Sequence, residues 1–128
     1  MKKTFIMILS LSIFLLLAGC KTPSVDEILG VGTSTTHNEV RFEHTTNKKK
    51  IKTVSNVFHT KKWIANTEFD PIGKDPDVVF LITNAEEGSP LLYVSIYYND
   101  HGADVVNMRG EYTSLSKQEA DILKKITI

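Results

Sequence analysis

The sequence predicts an α+β fold: an antiparallel sheet in the order strand–helix–three-strand meander–helix, with the helices packed on one face. Three observations carry this. Apolar residues recur at helical spacing in 48–63 and again in 117–126. Between them, residues 77–110 hold three strand-length apolar or alternating runs. Short turn-forming stretches join those runs, which favours antiparallel pairing of consecutive strands.

Each element has its own signal. In EVRFEH, residues 39–44, Val40 and Phe42 face one way while Glu39, Arg41 and Glu43 face the other, the pattern of a half-buried strand. Thr45, Thr46 and Asn47 then offer helix caps. In KKKIKTVSNVFHTKKW, Ile51, Val54, Val57 and Phe58 fall on one side of a helix, and Lys48, Lys49 and Lys52 point away. Pro71, Gly73 and Pro76 forbid a regular element through the middle of residues 63–77, so an irregular loop follows an extended start. DVVFLIT, residues 77–83, is apolar on both faces and belongs inside the sheet. In LLYVSIYYN, residues 91–99, Leu92, Val94, Ile96 and Tyr98 form one face, and Tyr93, Ser95 and Tyr97 the other. DHGAD makes the next turn, with Gly102 available for positive φ, and ADVVNMRG supplies the third strand of the meander, running toward Tyr112. Ser116-Lys117-Gln118-Glu119 is a capping box, flanked by Leu115 and Ala120 as a hydrophobic staple. Ala120, Leu123 and Ile126 make the buried stripe of the last helix, and Lys124 and Lys125 suit its C-terminal end.

What precedes residue 39 is different in kind. Lys2 and Lys3 lead into an almost wholly apolar run, Phe5 to Ala18, which ends in small residues and Cys20. This is the layout of a secretory signal, and the run is shorter than the roughly 20 apolar residues a membrane-spanning helix needs. Leu17-Ala18-Gly19-Cys20 resembles the bacterial lipobox. The resemblance implies that the thiol of Cys20 is joined to diacylglycerol, that residues 1–19 are removed as a signal peptide, and that the new N-terminus is acylated, palmitate being a typical chain. One acyl chain anchors only marginally, and two or more hold firmly. Cys20 is the only cysteine, so it has no intramolecular disulfide partner. Residues 20–38 read as the lipidated cysteine and a flexible linker with Pro23, Gly30 and Gly32, of roughly 25 Å end-to-end distance. Ile28, Leu29 and Val31 are its exception, being able to dock on the domain or form a short strand. Residues 39–128 are then the small α+β domain.

Composition narrows the function. The chain has 15 basic and 15 acidic residues, and loss of Lys2 and Lys3 with the signal leaves a net charge of −2 over 109 residues. That balance argues against nucleic acid, which selects a strongly basic face. Without a cysteine pair the domain relies on its hydrophobic core, and a domain of this size buries roughly 60–65% of its unfolded surface.

Three constellations offer chemistry. Asp70, Asp75 and Asp77 cluster on a bent loop, but not at EF-hand spacing and with Lys74 among them, so turn-forming aspartates are the simpler reading. Asp100, His101 and Asp104 surround a tight turn and could serve zinc or acid–base work, yet no second histidine stands at a telling spacing. No H-E-x-x-H or G-x-S-x-G is present. The expectation is a domain that is not an enzyme, with no catalytic, cofactor or metal site. Two surface features remain. Lys48, Lys49, Lys50, Lys52, Lys61 and Lys62 make the first helix region basic, suited to anionic lipid or wall polymer. Tyr93 and Tyr97 stand as candidates for a recognition surface, and Tyr98 as a core residue.

The helix end KTVSNVFHTKKWI, the strand PDVVFLIT, the meander and the finish EYTSLSKQEADILKKI together resemble the YhfM-like domain of small Bacillus-type lipoproteins, over most of residues 38–128. The resemblance implies a Gram-positive envelope lipoprotein and brings no catalytic motif or ligand site. The expected function is therefore a non-enzymatic binding or assembly domain, anchored by lipid at the extracytoplasmic face of the cell membrane. Its expected partner is an envelope protein or wall polymer. The alternatives are an accessory or inhibitory domain for a secreted enzyme and a small hydrolase.

Overall fold

The sheet holds more strands than the sequence pattern discloses. In the computed structural model, which describes residues 26–36, 39–65, 69–71, 73–86 and 88–126, the strands are β1 (Glu27–Thr36), β2 (Glu39–Thr45), β3 (Ile64–Ala65), β4 (Val78–Asn84), β5 (Pro90–Asn99), β6 (Gly102–Asn107) and β7 (Glu111–Ser116). Helix α1 (Lys48–His59) lies between β2 and β3, and α2 (Lys117–Lys124) follows β7. All strand pairs are antiparallel, in one sheet of order β2-β1-β4-β5-β6-β7-β3. The fold is α+β, as expected, but larger in its sheet.

Three elements differ from the expectation. The linker does not run to residue 38: from Glu27 the chain is β1, between β2 and β4 in the sheet. Leu29 and Val31 point into the core from it. Gly30 and Gly32 occupy the opposite face, where a Cβ on Gly32 would come within 2.6 Å of Val40 and 2.8 Å of Phe42. The glycines are thus the floor over which β2 side chains lie, and they erase the alternation that would have marked a strand. Second, β6 stops at Asn107, Met108–Gly110 turn, and Glu111–Ser116 is a further strand, so β4 to β7 are four consecutive neighbours. Third, the extended start after α1 is β3, which pairs with β7 at the sheet edge.

Strands β1 and β4 to β7 each contribute to one core cluster from a single parity. Leu29, Val78, Phe80, Ile82, Val94, Ile96, Ala103, Val105 and Leu115 form one buried cluster with Ile51, Val54, Val57 and Phe58 of α1 and with Ala120 and Leu123 of α2. Fully burying each large aliphatic or aromatic member contributes about 1.5–3 kcal/mol. Trp63 and Tyr98 pack against the same cluster, half-buried.

Both helices start where their caps predict. Asn47 Oδ1 accepts from the Lys50 backbone N–H at 3.1 Å. At α2 the capping box is reciprocal: Ser116 Oγ accepts from Glu119 N–H at 3.2 Å, and Glu119 Oε1 accepts from Ser116 N–H at 3.0 Å. Lys61 Nζ adds a 2.6 Å contact to the same carboxylate oxygen, tying the chain after α1 to α2. Burial pushes the Glu119 carboxyl up, but the hydrogen bonds from Lys61 and Ser116 and the Lys61 charge outweigh it and hold the group below its ordinary value. A depressed carboxyl contributes stability above its unfolded-state pKa and loses it as pH falls through the folded-state value. Glu119→Gln keeps a capping-box side chain but removes the charge. It is expected to cost about 1 kcal/mol at neutral pH and to flatten the decline in stability on the acid side, read by denaturant unfolding at a series of pH values.

Candidate functional site

Register places a second set of side chains on the face away from the core. Leu81 opposes Tyr93, Val79 opposes Ser95, and Tyr97 opposes Asp104. Val106 opposes Tyr112 in the next pair. Tyr93, Tyr97 and Tyr112 are each half-buried. The loop before β4 adds Phe69, whose ring centroid lies 5.2 Å from that of Tyr97 and 6.0 Å from that of Tyr112. Lys74 Nζ stands 5.5 Å from the Phe69 centroid. On the opposite flank of the sheet Phe42 and His44 stack at 6.3 Å. The result is a partly exposed aromatic strip over β5–β7, with Phe42 and His44 at the other margin.

Polar contacts fix the strip. Tyr112 donates its hydroxyl to Asp104 Oδ1 at 2.6 Å, and Asn99 Nδ2 donates to Asp104 Oδ2 at 3.0 Å. Burial pushes the Tyr97 phenol above its usual pKa, and the charges of Asp75 and Asp77 push it the same way. Tyr97 therefore stays protonated at neutral pH and can donate a hydrogen bond. Flat rings with polar tips suit a ligand that offers both an apolar surface and hydrogen-bond acceptors.

The residues singled out from sequence disperse into structural tasks. Asp77 Oδ2 accepts from Tyr98 N–H at 2.7 Å, and Asp77 N–H donates to the Ile96 carbonyl at 2.8 Å, clamping the loop to β5. Among the described residues, no three His, Cys, Asp or Glu side chains come together as metal ligands would. His101 N–H donates to Asn99 Oδ1 at 2.8 Å, closing the β5–β6 hairpin, and Asp104 is held by Tyr112 and Asn99. Lys61 is paired with Glu119 and so leaves the basic run of the first helix region. Tyr98 packs against the core; burial, with a smaller push from Asp77, raises its pKa to about 12, and Lys124 Nζ lies 4.7 Å from its ring centroid. Trp63 stacks on Phe58 at 6.2 Å. Cys20 and the lipobox lie outside the described residues.

Phe69 and Tyr112 escaped the sequence reading as members of an aromatic surface, because only the register of β7 and the course of the loop bring them to Tyr97. A second concave region lies at the sheet end where β1 begins. One cavity of about 350 Å³ is lined by Asp26, Glu27, Lys48, Ile51 and Lys52 among others, and one of about 230 Å³ by Glu27, His59, Ile82 and Leu92. A third, of about 280 Å³, lies among Trp63, Leu91, Tyr93, Met108 and Arg109.

No known protein family, curated protein or solved structure matches this chain. Among the described residues no helix is long and apolar enough to cross a membrane.

Proposed function

We propose that this chain is an exported lipoprotein, anchored through Cys20 at the extracytoplasmic face of the cell membrane, and that its domain, of the YhfM-like kind, binds an envelope protein or wall polymer without catalysis. Anchoring is supported by Lys2 and Lys3, the apolar run to Ala18 and the Leu17-Ala18-Gly19-Cys20 motif. In this reading both helices cover one face of the sheet and leave the other to the partner. The observation that carries the binding assignment is the aromatic strip of Phe69, Tyr97 and Tyr112 on the face opposite the core cluster. Tyrosine and phenylalanine are enriched at the centres of recognition surfaces, where charged residues are depleted.

A photo-cross-linking residue placed at Tyr93 or at Ser95 tests this in intact cells, with the exposed Lys117 of α2 as the control position. The expected result is one reproducible adduct, protein or wall polymer, from the sheet positions and not from Lys117. Cys20→Ser is expected to release the chain from the membrane fraction and to abolish the adduct. The absence of any adduct specific to the sheet face would overturn the binding assignment.

A further inference from the structure

The chain enters the sheet at the end where its exposed apolar side chains gather. Register defines that end: Glu27 opposes Asn84, Leu29 opposes Thr45, and Thr83 opposes Pro90. The Met108–Gly110 turn lies beside Trp63 and Leu91 around the 280 Å³ cavity. Four large apolar residues are exposed among the described ones, and three of them are here: Ile64 at 57%, Leu91 at 54% and Met108 at 65%. Leu91 is the extra residue of a bulge, since Ile82 opposes Leu92 while Thr83 opposes Pro90. A bulge re-aims its side chain away from the regular pleat. Apolar side chains clustered in this way mark an interaction site rather than ordinary surface.

The length of the preceding chain says what covers them. Five residues, 21–25, separate Cys20 from Asp26. Fully extended, that stretch reaches at most about 20 Å, whereas a ten-residue strand such as β5 spans about 33 Å. A lipid on Cys20 therefore holds this end of the sheet toward the bilayer and leaves the end bearing Gly102 pointing away. Arg109 adjoins Met108, and Lys48 and Lys52 line the 350 Å³ cavity at the same end. Long basic side chains and tryptophan favour the headgroup layer, where an apolar stem or ring and a polar tip are both accommodated. Asp26, Glu27 and Glu111 sit at this end too, so charge alone does not make it attractive to lipid and the apolar side chains must carry the contact.

We infer that this end of the sheet seats in the headgroup layer of the bilayer, with Leu91 and Met108 entering the apolar side of the interface beside Trp63. The inference rests on the Cys20 anchor proposed above. The aromatic strip then stands upright on the membrane, open to a partner approaching from the side.

Trp63 is the only tryptophan in the chain and reports the contact directly. The probe is the full lipidated protein in vesicles of phosphatidylglycerol and phosphatidylcholine, with and without bromine on the acyl chains. Bromine is expected to quench Trp63 emission in the wild type. The double variant Leu91→Asp, Met108→Asp is expected to stay anchored, keep its unfolding midpoint and lose the quenching. Mass spectrometry of the Cys20 peptide from the same sample separates the two ways of failing. A lipidated Cys20 with unquenched Trp63 overturns the docking and leaves the anchor standing. An unlipidated Cys20 overturns the anchor, and the docking with it.

Discussion

Gly102→Ala is expected to destabilise the domain by about 3 kcal/mol or more, combining backbone strain with a steric clash that the fold cannot relieve. Gly102 sits at φ +140°, where L side chains are rarely found, and a Cβ there would lie 2.0 Å from the Leu115 carbonyl oxygen and 2.6 Å from the Ser116 carbonyl carbon. Both neighbours are backbone, at the point where β7 becomes α2. Relief would have to move the end of β7, and with it the Ser116 cap and the buried Leu115. Against a total stability of about 5–15 kcal/mol for a domain of this kind, such a loss leaves little in reserve. Gly110→Ala is the control. Gly110 also has positive φ, at +78°, but nothing lies within 4 Å of the added Cβ. It should cost only the left-handed backbone penalty, about 1–2 kcal/mol. Urea midpoints of the two variants check the difference. Equal losses would mean that the contact with β7 yields easily.

The contrast between these glycines shows which parts of the fold were legible in the sequence. The turn at Gly102 could be read from Asp100-His101-Gly102, because turn chemistry is local. The close approach of β7 could not, because it joins residues 13 and 14 positions apart in the chain. The two helices were legible for the same local reason: Ile51, Val54, Val57 and Phe58 repeat at 3.6 spacing, and Ser116 with Glu119 closes a cap within one turn. β4 and β5 were legible because Val78–Ile82 and Leu92–Tyr98 are rich in β-branched and aromatic residues. β1 showed only as a possible short strand at Ile28, Leu29 and Val31, because Gly30 and Gly32 interrupt its alternation where a Cβ would crowd Phe42, at 3.3 Å and 2.8 Å respectively, so the packing that makes the strand useful also weakens its signature. β7 was hidden by Thr113, a hydroxyl residue at a core position, which breaks the apolar alternation with Leu115. The aromatic strip was half-visible. Tyr93 and Tyr97 separate from Tyr98 by strand parity alone, whereas Phe69 and Tyr112 reach Tyr97 only through tertiary structure.

Phe80→Ala is expected to cost about 3–5 kcal/mol, the loss of a buried aromatic side chain together with the cavity it leaves. Phe80 is wholly inaccessible and lies in β4, opposite Val31 on one side and Val94 on the other. It belongs to the cluster that joins both helices to the sheet, so its removal loosens the contact on which α1 and α2 depend, since neither helix is long enough to hold its shape alone. Leu81→Ala, one residue on and half-buried on the opposite face, removes half as many carbons, and from a site without helix packing. It should cost about 1 kcal/mol. Guanidinium unfolding followed by far-ultraviolet circular dichroism reads both. The expected pattern is a large fall in midpoint for Phe80→Ala with an unchanged slope, and a small one for Leu81→Ala. If the two losses were equal, the sheet would be supported on both faces alike, and the face that bears Tyr97 would be a second core instead of a surface open to a partner.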